Sequence, residues 1–304
     1  MFYDVIIVGG GPAALTAGIY AARYKLKTVI FSKNIGGVAA TSPKICNYPS
    51  YPSIQGFELM QKFTEHAKIL GVEIIYDEVK KITKNKLFLV KTDNGEYEAR
   101  KIIYATGTKR ERLEVPGEGK LQGRGVSYCS ACDGPFFKNK VVAIVGGGDA
   151  ALSSALLLSD YASKIYIINR KKDFSGGNSG WAEIIIKDKK IDKIFNEEVV
   201  EIIGDKNVEG IRLKSGKNLK LDGVFIEIGS VPETELLKNL KVKLDKKGFV
   251  IVDKFQKTNV SGLFSAGDVS NNVIKQVITA AGEGAIESYS AYVELKQEGK
   301  STEV

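Results

Sequence analysis

One histidine, His66, and three cysteines, Cys46, Cys129 and Cys132, stand in a chain of 304 residues. A Ser-His-Asp hydrolase would have to run through His66, and a metal site built mainly from histidines lacks its ligands. Three cysteines make no disulfide framework of the sort that staples small secreted domains, so cysteine usage gives secretion no support. Proline is scarce at 7, while glycine reaches 32 with no three-residue period. That balance fits tight turns between packed elements, not a collagenous or disordered chain. The opening Met1-Phe2-Tyr3-Asp4-Val5 has no basic leader region,. The long, nearly uncharged stretch 141–159 carries three glycines and Asp149 in its middle, so it reads as strand, turn and helix and not as a membrane span,. The expectation is a cytoplasmic protein with no membrane partner.

Charge of one sign is not concentrated either. Lysine and arginine outnumber the acids by 44 − 36 = +8, yet the lysines are spread as pairs along the chain and form no basic arm,. Nucleic acid is therefore not an expected partner. What is present in ordinary amounts is 43% apolar and 26% charged residues, a globular composition,. The length suggests about two domains.

Two segments share one pattern. The first runs Val5-Ile6-Ile7-Val8, Gly9-Gly10-Gly11-Pro12-Ala13-Ala14, a helical run, then Thr28-Val29-Ile30-Phe31. The second runs Val141-Val142-Ala143-Ile144-Val145, Gly146-Gly147-Gly148-Asp149-Ala150-Ala151, a helical run, then Lys164-Ile165-Tyr166-Ile167-Ile168. Each is a βαβ unit with a glycine turn. In a dinucleotide fold the first glycine makes the tight turn, the second lets the backbone approach a pyrophosphate, and the third position needs a tiny side chain, here Ala14 or Ala151. The helix N-terminus then faces the phosphates. The rest fits an α/β class with two doubly wound sheets: a helix at 57–71, strands at 72–76, 87–90, 102–105, 224–228 and 249–252, and a long helical pattern over 274–295 interrupted by Gly282 and Gly284,. Turn-like stretches near Pro116-Gly117 and Lys246-Lys247-Gly248 mark boundaries, which makes 114–245 a middle domain,.

Cys129-Ser130-Ala131-Cys132 is a C-x-x-C spacing beside the second βαβ unit. One thiol can attack while the other resolves the mixed disulfide. A free thiol has a pKa of about 8.5, so this chemistry needs a stabilised thiolate or a nearby acid and base, and Asp133 follows at once,. Zinc held by Cys46, His66, Cys129 and Cys132 and an inert buried pair are the competing readings. His66 reads as a structural or surface histidine, Cys46 as a small apolar filler, and Trp181 as a packing residue.

Taken together, these motifs resemble the low-molecular-weight thioredoxin reductase family. The resemblance rests on the first glycine turn, Asn47-Tyr48-Pro49, Ala105-Thr106-Gly107-Thr108, Cys129 to Gly134, the second glycine turn, and Gly262-Leu263-Phe264-Ser265-Ala266-Gly267-Asp268-Val269, in order along essentially the whole chain. It implies a homodimeric flavoprotein of two Rossmann-like domains, the second inserted into the first. An FAD domain would comprise 1–113 and 246–304, and a pyridine-nucleotide domain 114–245. It implies that electrons pass from NADPH through FAD and the Cys129–Cys132 disulfide to a thioredoxin-like protein, with rotation of the nucleotide domain between half-reactions. Cys132 matches the cysteine nearest the flavin, Cys129 the one that attacks the partner, and Asp133 the acid and base. FAD contacts are implied at Gly9, Gly11, Pro12, Ala13, Ala14, Gly37, Asn47, Val79, Ala105, Thr106, Gly107, Gly267, Asp268, Lys275, Gln276 and Val277. Pyridine-nucleotide contacts are implied at Gly146, Gly148, Asp149, Ala150, Arg170 and Lys171.

The chain also departs from that pattern. The second unit ends Asn169-Arg170-Lys171-Lys172, where cations in place of an acid favour the 2′-phosphate of NADPH over NADH,. A further arginine usual in the family is missing from 173–180, a glutamate usual after the second glycine turn is replaced in Leu152-Ser153-Ser154, and Val38 stands where glutamine is usual. These departures leave three alternatives open: NADH or another donor, a different disulfide partner, and a flavin-binding sensor or scaffold with an idle donor site.

Overall fold

The structure, a computed structural model, describes residues 1–42, 44–174 and 179–301. In chain order the helices among them are α1 (Pro12–Arg23), α2 (Gly56–Ile69), α3 (Ser130–Asp133), α4 (Asp149–Ser159), α5 (Ser179–Lys187) and α6 (Val277–Ser301). The chain forms two compact units, one from Met1–Lys109 with Val231–Val304 and the other from Arg110–Ser230. The second is thus inserted into the first.

The discontinuous unit is built on a seven-stranded sheet. Strands Glu73–Ile75, Thr28–Phe31, Phe2–Val8 and Glu96–Tyr104 lie side by side and parallel, followed by the antiparallel Phe88–Thr92 and Val79–Lys84. Leu263–Ser265, from the far end of the chain, pairs with the C-terminal half of Glu96–Tyr104. Phe2–Val8 reads as a nearly unbroken apolar run because both its faces are covered. Val5 and Ile7 pack under α1 and α6, while Ile6 and Val8 face the opposite core with Phe31, Phe88 and Tyr104. Helix α1 starts with Pro12 at a position where no N–H is needed,. Its alanines let α6 come close: a Cβ on Gly284 would lie 2.3 Å from the Ala13 carbonyl.

The inserted unit carries a five-stranded, all-parallel sheet in the order Ile191–Phe195, Lys164–Asn169, Val141–Val145, Gly223–Ile226, Val126–Ser127. A three-stranded antiparallel sheet, Val199–Ile203, Gly210–Leu213 and Asn218–Lys220, covers one face. Helix α4 covers the other.

Several expectations are corrected. The chain leaves the inserted unit at Ser230, not at 245. Lys246-Lys247-Gly248 is a tight turn inside the discontinuous unit, closed by the Gly248 N–H on the Asp245 carbonyl and by a bridge between Leu244 and Val250. The strand expected at 249–252 is reduced to single bridges from Val250 to Leu244 and Ser270. Helix α6 is continuous through Gly282 and Gly284, because packing on α1, and not a turn, explains Gly284. Cys46 is exposed and free, not a filler: Ile45, bridged to Ile54, takes the inward position beside it.

Candidate functional site

Both glycine turns have the same construction. Gly9 and Gly146 adopt φ of +127° and +144°, and a Cβ would lie 2.1 Å from the Ala105 carbonyl oxygen and 2.3 Å from that of Glu227. Only glycine fits there. Gly11 and Gly148 then cap α1 and α4 without any side-chain hydrogen bond, and a Cβ at either would meet open space. A helix N-terminus beside a residue with no side chain suits a pyrophosphate. The residues present therefore fit a dinucleotide in each unit.

In the discontinuous unit the structure gathers the expected residues from both ends of the chain. Gly37, at φ +55°, sits so close to Gly11 that a Cβ would lie 3.3 Å from the Gly11 Cα. Asn47 Nδ2 donates to Gln276 Oε1 at 2.9 Å, just before α6 begins at Val277. Ala105 accepts the Cβ position of Gly9 against its carbonyl, and Gly107 turns at φ +76°. The Thr106 hydroxyl donates to the Glu233 carbonyl at 2.9 Å. Gly267, next to Asp268, packs within 3.1 Å of the Ala13 Cβ by its own Cβ position. Lys275 donates to the Ser270 carbonyl and lies 4.5 Å from the Phe249 ring, and burial pushes its pKa down. Val79 has its side chain in the core with Phe31 and Tyr104, which leaves only its main chain for a ligand. Glu283 was not anticipated. Its Oε2 accepts the Gly267 N–H at 2.7 Å and so pins the Gly267-Asp268 turn, and burial pushes its pKa up.

In the inserted unit Cys129 and Cys132 form a disulfide, with Cα atoms 5.3 Å apart, at the start of α3. Cys129 Sγ also accepts the Cys132 N–H at 3.2 Å. Asp133 Oδ2 accepts the Ser127 hydroxyl at 2.6 Å. Burial raises the Asp133 pKa, which the Ser127 bond and the Arg110 charge partly oppose. A disulfide, a hydrogen-bonded sulfur and a carboxyl of raised pKa lie within five residues. Farther along, Arg170 and Lys171 are exposed beyond the strand Lys164–Asn169, next to Asp149 and Ala150 of the glycine-turn helix only in the sense of sharing one βαβ unit. Asn169, 4% exposed, was also missed: it bonds the Asp173 carbonyl at 2.8 Å and the Lys171 N–H at 3.2 Å, and so shapes that loop from below. The departure at 175–178 lies outside the described residues. Trp181 packs against the core under α4, and His66 is on the exposed side of α2.

The family model for pyridine nucleotide-disulphide oxidoreductases matches residues 3–284. This chain belongs to that family. A thioredoxin reductase of Listeria monocytogenes is 39% identical over 311 residues, covering 99% of this chain and 97% of the relative. One of Bacillus subtilis is 38% identical over 310 residues, covering 99% and 98%. The crystal structure of thioredoxin reductase from Streptococcus pyogenes superposes with a TM-score of 0.91 at 36% identity, covering 97% of this chain and 99% of that one. As a member of the family, the chain is a disulfide oxidoreductase that works with a flavin and a pyridine nucleotide. Among the described residues, no helix is long and apolar enough to cross a membrane.

Proposed function

We propose that this protein is a thioredoxin reductase, which carries electrons from NADPH by way of FAD and the Cys129–Cys132 disulfide to the disulfide of a thioredoxin-like protein. The observation that carries the reading is the disulfide of α3 with the raised-pKa carboxyl of Asp133 directly after it. FAD is assigned to the discontinuous unit, held by Gly9 to Ala14, Gly37, Asn47, the Val79 main chain, Ala105 to Gly107 and the segments around Gly267 and Gln276. The pyridine nucleotide is assigned to the inserted unit, at Gly146 to Ala150, with Arg170 and Lys171 on the 2′-phosphate. The chemistry a bound flavin supplies is relay of an electron pair from the nucleotide to the disulfide.

The protein's own part lies at the sulfurs. The disulfide takes up two electrons, its S–S bond opens, and two protons complete the dithiol. The Cys132 N–H on Cys129 Sγ favours the thiolate form of Cys129,. Cys129 passes its proton to the Asp133 carboxylate and attacks the partner disulfide, and one partner sulfur leaves as a thiolate that takes that proton back from Asp133,. Cys132 then attacks Cys129 of the mixed disulfide, and its thiol proton passes to the second partner sulfur as that sulfur leaves, which restores the Cys129–Cys132 disulfide and releases the partner as a dithiol. A carboxyl with an upward-shifted pKa is suited to holding that proton near neutral pH. Such cycling suits the reducing cytoplasm, and the resemblance supports a homodimer, which light scattering on the purified protein measures.

Purified protein should be yellow and should bleach anaerobically with NADPH. Cys129→Ser and Cys132→Ser should each abolish reduction of thioredoxin and keep the flavin. Full activity in either variant ends this reading. Bleaching by dithionite but by neither NADPH nor NADH replaces it with a flavin protein whose donor site is idle.

A further inference from the structure

Two carboxyl groups bear on the C-x-x-C turn, and the reaction above uses only Asp133. The other is Glu227, directly after the strand Gly223–Ile226. Its Oε1 accepts the Ser154 hydroxyl at 2.8 Å. The Ser154 Oγ lies 2.7 Å from the Ser130 Oγ. Ser154, on α4, is 3% exposed, and Ser130, the residue that follows Cys129, is 8% exposed. The direction of this chain is fixed by counting protons. When Glu227 is ionised, Ser154 gives its one hydroxyl hydrogen to the carboxylate, so Ser130 donates to Ser154,. A buried acceptor therefore fixes the side chain that stands between the two sulfurs.

The brace matters most once the disulfide opens. Helix α3 has four residues and is marginal by itself,. Its local ties are short-range: the Cys132 and Asp133 N–H groups on the Cys129 carbonyl at 3.2 and 3.0 Å, the Gly134 N–H on the Ser130 carbonyl, and the Ser127 hydroxyl, which donates to Asp133 and accepts the Cys129 N–H. We propose that Glu227 is a positioning residue for the dithiol, which acts through Ser154 and Ser130 to hold the C-x-x-C turn in one frame in both oxidation states and to set the protonation of its thiols. The proposal rests on reading Cys129 and Cys132 as the working dithiol.

The charge environment gives a distinctive pH signature. Burial raises the Glu227 pKa; the Ser154 hydroxyl, the Arg110 charge and the Ser130 main chain oppose the rise. Helix α4 bears on Glu227 through Ser154 and α3 through Ser130, whose own helix carries the thiols and Asp133; Arg110 comes from the segment entering the unit. As pH rises through its titration, Glu227 gains a negative charge that disfavours a neighbouring thiolate. Glu227→Gln removes that charge and keeps the shape.

The test is the pH profile of iodoacetamide alkylation of the full-length holoprotein, reduced with dithiothreitol and desalted anaerobically. All proteins carry Cys46→Ser, because Cys46 is exposed and would react. Glu227→Gln should alkylate about tenfold faster than its parent at pH 7.5, with the difference closing as pH falls and Glu227 takes up a proton. Ser154→Ala, which raises the carboxyl pKa by removing its donor, should move the profile the same way. Superimposable profiles for folded Glu227→Gln and its parent overturn the proposal. If Glu227→Gln does not fold, Ser154→Ala decides: a shifted profile supports the proposal and an unchanged one overturns it. A parent protein that fails to reduce thioredoxin with NADPH, while the Glu227→Gln shift persists, removes the proposed function and leaves the effect of Glu227 on the thiols standing.

Discussion

The Asn47 side-chain amide donates to the Gln276 side-chain oxygen at 2.9 Å across 229 positions of sequence. The bond ties the loop before α2 to the segment that opens α6, so the two ends of the chain close one cradle. A neutral hydrogen bond contributes about 0.5–1.5 kcal/mol. Asn47→Ala should therefore weaken flavin binding by up to about tenfold. Titration of the apoprotein with FAD, followed by fluorescence quenching, measures this. Unchanged affinity would separate the pair from the flavin site.

Ser127→Ala tests the acid and base. Ser127 is the only side-chain donor that the structure gives to Asp133 among the described residues, at 2.6 Å, and it holds down a pKa that burial raises. Without it, Asp133 should keep its proton to higher pH. The alkaline limb of the activity profile should then move upward, while Asp133→Asn should lower turnover by about 10²–10⁴-fold. A downward move of the limb in Ser127→Ala contradicts this assignment.

The α/β class and the paired cysteines were legible because each is written in local spacing, whereas the inserted arrangement came from the family resemblance. A β-branched run, three glycines and an alanine-rich helix recur twice, and C-x-x-C needs four residues. Contacts between distant positions leave no such trace. Ser154 and Glu227 are 73 residues apart and belong to a helix and a strand end whose own periodicities say nothing of a hydroxyl meeting a carboxyl. Glu283, bonded to Gly267 from within α6, was hidden for the same reason. Glycine misled where it served two purposes: at Gly9 it permits a turn, whereas at Gly284 it admits the Ala13 backbone without breaking the helix. The boundary near 245 was misplaced because a lysine-rich tight turn looks in sequence like a linker.

The proposed preference for NADPH rests on a loop shaped by Asn169. With Asn169 bonded to Asp173 and Lys171, the side chains of Arg170, Lys171 and Lys172 are left exposed. A charge-assisted contact to a 2′-phosphate contributes about 1.5–3 kcal/mol. Arg170→Ala and Lys171→Ala should each raise the KM for NADPH about tenfold or more and leave that for NADH unchanged. Steady-state kinetics with both nucleotides checks this, and equal effects on the two would place these cations away from the phosphate.

Glu287 is a cost to the fold that pH reveals. It is fully buried in α6, neither carboxyl oxygen has a hydrogen-bond partner among the described residues, and burial, reinforced by the charge of Glu283, raises its pKa well above the ordinary value. Between the pKa of an unfolded glutamate, about 4.3, and the raised value in the fold, the folded protein binds a proton that the unfolded chain has released. Stability due to this group therefore falls as pH rises through that window. Glu287→Met fills a similar volume without a carboxyl, and an unpaired buried polar group costs about 1–3 kcal/mol. The variant should be more stable than its parent at pH 8, and the difference should narrow towards pH 5 because taking up a proton on folding costs the parent less as pH approaches the unfolded pKa,. Denaturant midpoints at the two pH values measure it. A stabilisation that is the same at both, or a variant less stable at pH 8, would mean that Glu287 is paired and charged in the folded protein.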